Sequence, residues 1–374
     1  MTSDFLIIGG GIAGAAAAYF LAERGSVQLL EREDAPGYHT TGRSAALYTE
    51  NYGPAAVRLL TKASGAFYRD PPDGFSATPL LHPRGSMIVA PPGQEARLQK
   101  VLEETRRTVA TIRAIDLKET LALCPMLRPE AVGAALYEPT STDMDVNAIH
   151  QGYLRGMRAR GGTLVTRAEV QALCRGDGVW TATTSAGNFT APIVINAAGA
   201  WADEVAKLAG ARPIGLAPKR RTAFLVDAPA GMDARAWPMV DDFREVVYFK
   251  PESGRILVSP MDETPMAPMD VQPDEIDIAE AVERLQAIAA IEVTRIVRKW
   301  AGLRSFVRDR VPVAGPVPEA PGYLWLAGQG GYGIMTSPAM GRIAAALAVG
   351  EAIPADILAV GLKPADVLPE RLFS

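Results

Sequence analysis

Only two cysteines, Cys124 and Cys174, occur in 374 residues, and neither belongs to a CxxC or another metal-ligand spacing. A disulfide framework or a thiolate cluster is not expected, and both thiols read as separate buried or half-buried groups. Histidine is limited to His39, His82 and His150, with no HExxH pattern, so a histidine-ligated zinc or iron is not expected either. No GxSxG elbow marks a serine hydrolase. Charge is mild, net −4 without a long run of one sign, which argues against nucleic acid or an anionic membrane as the main partner. The longest apolar stretches, 12–22 and 343–349, are too short to cross a bilayer. The first strand begins at Asp4, leaving no room for a cleavable leader, and a cytoplasmic protein is expected. With few side chains suited to metal or nucleophilic work, the chemistry must come mainly from a bound cofactor.

What is present in quantity is apolar residue, 48% of the chain, enough for two domains at this length. The run Asp4-Phe5-Leu6-Ile7-Ile8-Gly9-Gly10-Gly11-Ile12-Ala13-Gly14, an alanine-rich segment, and Val27-Gln28-Leu29-Leu30-Glu31 read as strand, glycine turn, helix, strand and terminal acid. That is the layout of a dinucleotide-binding βαβ unit. Gly9 makes the turn, Gly11 admits a pyrophosphate, Gly14 lets helix meet strand, and the helix N-terminus faces the phosphates. Glu31 is placed to accept from a ribose and would repel a 2′-phosphate, which disfavours NADP. The motif alone does not separate NAD from FAD.

Further along, helical periodicity marks 55–68, 93–107, 146–159 and 276–290, with a strand at 86–89. Short strands cluster in 164–195, and 194–201 reads as a buried strand turning into a helix. Between 213 and 260 the alternation suggests antiparallel strands in a second layer. The chain closes with strand 323–327, a loop carrying Gly328, Gly330 and Gly333, and a helix through Val349. This second GxGxxG lacks a following strand and acid, so it reads as another helix N-terminus aimed at the same cofactor, able to stabilise negative charge on a reduced ring. The fold class expected is α/β, with a Rossmann-like nucleotide domain assembled from 1–80, 140–212 and 305–374, and a discontinuous β-rich substrate domain from 81–139 and 213–304.

In order along the chain, the N-terminal glycine motif, Thr41-Gly42-Arg43-Ser44-Ala45-Ala46, Asn196-Ala197-Ala198-Gly199-Ala200-Trp201 and the C-terminal glycine loop resemble the FAD-dependent D-amino-acid oxidase and dehydrogenase superfamily. Within it the likeness is strongest to the D-arginine dehydrogenase branch, through Gly37-Tyr38-His39, Pro218-Lys219-Arg220-Arg221, Trp300-Ala301-Gly302-Leu303-Arg304-Ser305-Phe306 and Gln329-Gly330-Gly331-Tyr332-Gly333-Ile334. The resemblance implies FAD at Gly9, Gly11, Ile12, Ala13, Gly14, Glu31 and Arg32; at Thr41, Arg43, Ser44, Ala45 and Ala46; at Val170, Ala198, Gly199 and Trp201; and at Gly330, Gly331, Tyr332, Gly333 and Ile334. Relatives that attach the flavin covalently use a cysteine near the counterpart of 302–304; none stands there, so non-covalent FAD is expected.

The resemblance further implies that Arg221 and Arg304 hold a substrate carboxylate, with Tyr248 adding a hydroxyl and Tyr52 lining the pocket. An arginine fork suits this because it binds both oxygens and fixes orientation. The implied reaction is hydride transfer from Cα of an amino acid to flavin N5, giving an imino acid and then a 2-oxo acid and ammonia. The flavin is reoxidised by oxygen or a quinone-like acceptor. Where D-arginine dehydrogenase has an acid for its cationic substrate, this chain has Ser86, and Leu47 replaces a histidine of the flavin loop. An unpaired buried cation is costly, so a D-amino acid with a neutral, apolar side chain is expected. A secondary amine, a 2-hydroxy acid, or a non-catalytic flavin-binding assembly factor are the alternatives. His39 is expected to orient the flavin loop, and His82 and His150 to be solvated or packed. The stretch 261–273 reads as a surface loop, with a cover over the pocket as the second reading.

Overall fold

The computed structural model describes residues 2–373. Phe5–Ile8 (β1) is apolar and buried throughout, as a parallel strand covered on both faces requires. The chain turns through Gly9–Gly11 into Ile12–Leu21 (α1) and returns as Val27–Leu30 (β2), parallel to β1. Gly14 is demanded by contact: a Cβ there would stand 1.9 Å from the Gly9 carbonyl oxygen.

The sheet built on β1 has six strands in the order Val313–Pro316, Tyr323–Ala327, Ile193–Asn196, β1, β2 and Thr163–Val165, of which only the first runs antiparallel to its neighbour. Helices α1, Val146–Ala159 and Gly333–Ala348 pack on one face. Small residues permit this: Ala15 to Ala18 are fully buried, and a Cβ on Gly341 would lie 3.0 Å from Ala16. The antiparallel meander Val170–Gly176, Val179–Thr184 and Gly187–Ala191 covers the other face.

A second, mixed sheet of nine strands runs from Thr264–Pro265 through Ala217–Asp227, Arg255–Ser259, Tyr248–Glu252, Met239–Asp242, Ser86–Ala90 and Ala134–Glu138 to Arg113–Ile115, with Arg298–Phe306 along Ala217–Asp227. Its alternation is clean. Met87, Val89, Phe224, Val240, Phe249 and Val258 enter a core closed by helix Glu275–Ile288, while Arg221, Ala223 and Tyr248 face the first sheet's glycine loops. The α/β fold expected from the sequence is the observed one. The expected helices occur at Ala55–Arg69, Glu95–Thr105, Val146–Ala159 and Glu275–Ile288. What local patterns did not reveal is the pairing of Ser86–Ala90 in parallel with Met239–Asp242, and a small sheet joining Leu47–Tyr48, Thr142–Met144 and Leu81–Pro83.

Candidate active site

Two cavities meet where α1 begins. The larger, of about 550 Å³, is lined by Gly9, Gly11, Glu31, Arg32, Val170, Ala198 and Trp201, together with Tyr38, His39 and Gln171. The smaller, of about 140 Å³, is lined by Ile12, Ala13, Ser44, Ala45, Arg221, Tyr248, Arg304, Gly330, Gly331, Gly333 and Ile334. Gly11, Thr40, Thr41, Ala197, Gly199 and Ala200 border both. The cavities thus form a bent trough with glycine at its elbow, and the N-termini of α1 and of Gly333–Ala348 both open onto its second half.

In the first half, Glu31 is buried and accepts from Gly10 N at 3.0 Å and Glu33 N at 2.9 Å. Burial holds its carboxyl above the ordinary range. Arg32 lies 4.7 Å over the Trp201 ring. His39 binds Glu33 at 2.9 Å and packs at a tilt against Trp201, ring centroids 4.7 Å apart, an orienting arrangement. His150, buried, donates from Nε2 to the Gly10 carbonyl at 2.8 Å, and its pKa is depressed by burial. His82 is exposed.

In the second half, strand alternation separates two adjacent arginines. Arg220 points to the helix-covered face, where Asp262, at 3.2 Å, and Asp277, at 2.6 Å, neutralise it. Arg221 points into the cavity, its Nε donating to the Asp262 carbonyl at 2.9 Å and its nearest carboxylate, Glu263, at 3.5 Å. Glu263 is shared, with Lys219 at 2.9 Å and Arg310 at 2.6 Å, and the hydrogen bonds from Arg310 hold it down to about 2. Arg304 comes from the paired strand, opposite Lys219. It donates to Tyr52 Oη at 3.1 Å, and among the described residues no carboxylate lies within 4.0 Å of it. Burial and the neighbouring charge of Arg304 lower the Arg221 pKa. Gly331 gives Arg304 its room, since a Cβ there would stand 3.0 Å from Nη1. Two guanidinium groups therefore share a cavity with too few carboxylates to neutralise them, a site for an anion.

Other expected residues stand around the trough rather than in its lining. Gly14 lies under the turn. Tyr332 is buried against Tyr52 and Phe306, and Tyr52 is 39% exposed. Ala46 borders a separate surface cleft. Arg43 lines the trough with its stem, but its guanidinium binds Asp270 at 2.5 Å and the Ala301 carbonyl at 2.9 Å. It thereby fastens the 261–273 stretch, whose Val271 is buried against Ala200, Ala301 and Leu303; the stretch is a strap along the site's edge. Ser305 and Gln329 were missed by sequence reasoning. Both line the second cavity, and Ser305 Oγ and Gln329 Nε2 are buried without a hydrogen-bond partner.

A nucleotide trough running into an anion site under a β-sheet is the arrangement of a dinucleotide-dependent oxidoreductase. The family model "DAO: FAD dependent oxidoreductase" matches residues 4–347, and the chain belongs to this family. It is 25% identical over 365 residues to human mitochondrial dimethylglycine dehydrogenase, covering 91% of this chain and 42% of that protein, so it spans less than half of that relative's length. It is 24% identical over 405 residues to hydrogen cyanide synthase subunit HcnC of Pseudomonas aeruginosa, covering 95% of this chain and 94% of the other. Glycine oxidase from Geobacillus kaustophilus has the same fold, with a TM-score of 0.82, 22% identity and coverage of 97% and 99%. L-proline dehydrogenase from P. horikoshii gives a TM-score of 0.78 at 22% identity, covering 94% and 95%. These likenesses support the superfamily rather than the D-arginine dehydrogenase branch in particular.

The residues present fit the FAD that the family implies. The glycine-lined elbow leaves space for a phosphate chain, Glu31 retains free lone pairs beside the first cavity, and the unpartnered Ser305 and Gln329 offer hydrogen-bonding groups to a polar ring edge in the second. Among the described residues no helix is long and apolar enough to cross a membrane.

Proposed function

We propose that the protein oxidises the Cα–N bond of an amine that carries a carboxylate, a D-amino acid or a secondary amine of the N-methyl amino acid or proline type. The observation that carries this is the pair Arg221 and Arg304, brought from adjacent strands to one cavity with a shared carboxylate for the first and none for the second. FAD, held without a covalent bond along the trough, supplies the two-electron acceptor. Arg221 and Arg304 bind the substrate carboxylate, and the Tyr248 hydroxyl donates to the same group. Among the described residues no histidine borders the second cavity, and the substrate amine gives its proton to solvent water before the hydride leaves. An imino acid formed this way is hydrolysed by water to a 2-oxo acid and ammonia, or to a primary amine when the substrate is N-methylated.

The neutral, apolar side chain expected for the substrate rests on Ser86 alone. Met239, opposite Ser86 in the sheet, supports an apolar contact there, whereas Asp241 two residues further on the same face bears on its charge. D-configuration rests on family resemblance, and the 2-hydroxy acid alternative shares the clamp. A non-catalytic role is disfavoured because two half-buried cations sharing one cavity without an anionic ligand are costly. The test is turnover of the holoprotein with an artificial acceptor on D- and L-amino acids, sarcosine, proline and 2-hydroxy acids, with products identified. A 2-oxo acid plus ammonia from a D-amino acid, a 2-oxo acid plus methylamine from an N-methyl substrate, or a cyclic imine from proline supports the reading, whereas formaldehyde would place the oxidation on the N-methyl carbon and refute it. Turnover of 2-hydroxy acids alone refutes it.

A further inference from the structure

Arg221 and Arg304 account for one end of a bound substrate, and the sheet face beside them decides the other. In register across that sheet, Tyr248 lies opposite Asp241, which lies opposite Ile88; Met239 lies opposite Ser86. Residues directly opposite one another project from the same face. Because Tyr248 lines the second cavity, Asp241, Met239, Ile88 and Ser86 stand on that same side. Asp241 is half-buried, and among the described residues its carboxylate makes no hydrogen bond and no ion pair. Nearly every other buried or half-buried acid has a partner. Asp242, next in the strand, faces the other way and binds Arg244 at 2.7 Å. Glu138, opposite Ser86, is engaged by both contacts of the Thr49 hydroxyl, at 3.0 and 3.1 Å.

We infer that Asp241 is the specificity-determining residue for the substrate's side chain, its carboxylate receiving a cationic or N–H-donating group carried on that side chain. The inference rests on the clamp reading and replaces the neutral, apolar side chain that Ser86 suggested. Burial, aggravated by Glu245, raises the Asp241 pKa to about 7, with Arg221 opposing; an ammonium or guanidinium would reverse that cost by pairing. The remaining charged groups on neighbouring strands are committed elsewhere: Lys250, two residues beyond Tyr248, binds Asp143 at 2.8 Å and Glu252 at 3.1 Å, and Glu138 is held by Thr49.

The test uses two unreactive carboxylates of equal length, pentanoate and 5-aminopentanoate, titrated into the FAD-loaded protein while the visible flavin spectrum is followed. At pH 8.5 the aminated ligand is expected to bind at least about tenfold more tightly, the effect of one charge-assisted hydrogen bond. In Asp241→Asn that ratio should fall to about one. In the unmodified protein it should shrink as the pH is lowered from 8.5 to 5.5, because Asp241 becomes neutral while the ligand's ammonium does not. This arm needs no variant. Equal binding of the two ligands at pH 8.5 would overturn the assignment of Asp241 and leave the clamp intact. Binding of neither would overturn the clamp and the inference together.

Discussion

Replacing Arg304 by methionine separates a functional cation from a structural one, because the two roles predict opposite signs in stability. Arg304 donates to Tyr52 Oη at 3.1 Å and sits close enough to Arg221 to depress that residue's pKa. Without a ligand, its charge is opposed by a like charge and neutralised by no carboxylate within 4.0 Å among the described residues. Removing it leaves one neutral phenol without a donor, a loss of about 1 kcal/mol at a half-exposed position. It also relieves the repulsion from Arg221 and the desolvation of a half-buried cation, partly offset by the lost attraction of Glu263, a net gain on the order of 1 kcal/mol when an apolar side chain fills the space. Arg304→Met is therefore expected to hold or raise the Tm of the ligand-free protein. Ligand binding moves the other way, since losing charge-assisted hydrogen bonds of roughly 1.5 to 3 kcal/mol each weakens carboxylate binding at least about tenfold. Thermal unfolding followed by circular dichroism reads the first effect, and pentanoate titration of the flavin spectrum reads the second. A fall in Tm of several degrees together with unaltered carboxylate binding would refute the reasoning and make Arg304 a structural cation.

Three further perturbations probe other levels of the account. Gly14→Ala places a Cβ 1.9 Å from the Gly9 carbonyl oxygen; separating helix from strand should cost at least about 3 kcal/mol and yield protein without yellow colour, and a variant with normal flavin content would show that the turn yields easily. Arg220→Ala leaves the buried Asp262 carboxylate, and Asp277 in the first turn of helix Glu275–Ile288, without their cation, so stability in urea should drop by about 2 kcal/mol, whereas Arg221→Ala, one residue along, should act mainly on carboxylate affinity; equal effects of the two would contradict the alternation. Asp241 is raised by burial to about 7, so the folded protein binds a proton that the unfolded chain releases near its ordinary carboxylate pKa. The raised group makes stability fall as pH climbs from about 4 through 7, by at most about 4 kcal/mol. Asp241→Asn should accordingly raise Tm at pH 8 and leave it nearly unaltered at pH 4; the same gain at both would show that ionisation is not the cause.

The nucleotide half was legible because its constraints are local. Gly9, Gly11, Gly14 and Glu31 serve one turn and two adjoining strands, and β1 through β2 can be assigned from fewer than thirty consecutive residues. Arg221 and Arg304 were legible only through the resemblance, since neighbouring Arg220 has the same local sequence and the opposite face. Asp241 was not legible at all. It acquires its meaning from the Met239–Asp242 pairing with Ser86–Ala90, strands separated by some 150 residues of chain, and pairing of that range leaves no trace in periodicity. The same limit explains Arg43. Its loop announces cofactor contact, but its guanidinium is taken by Asp270 from a strap far downstream. Ser305 escaped notice because a serine in a β-strand is unremarkable until it is found buried with nothing to bind.

The most direct test of the central claim is to load the protein with FAD, exclude oxygen, and record the visible spectrum while carboxylate-bearing amines are added one at a time, D-lysine and D-norleucine first, then sarcosine and proline. The account predicts rapid bleaching of the flavin band by at least one of these, with the bleaching slowed at least about tenfold in Arg304→Met. A flavin that stays fully oxidised throughout the panel, in a protein that binds FAD normally, would contradict it.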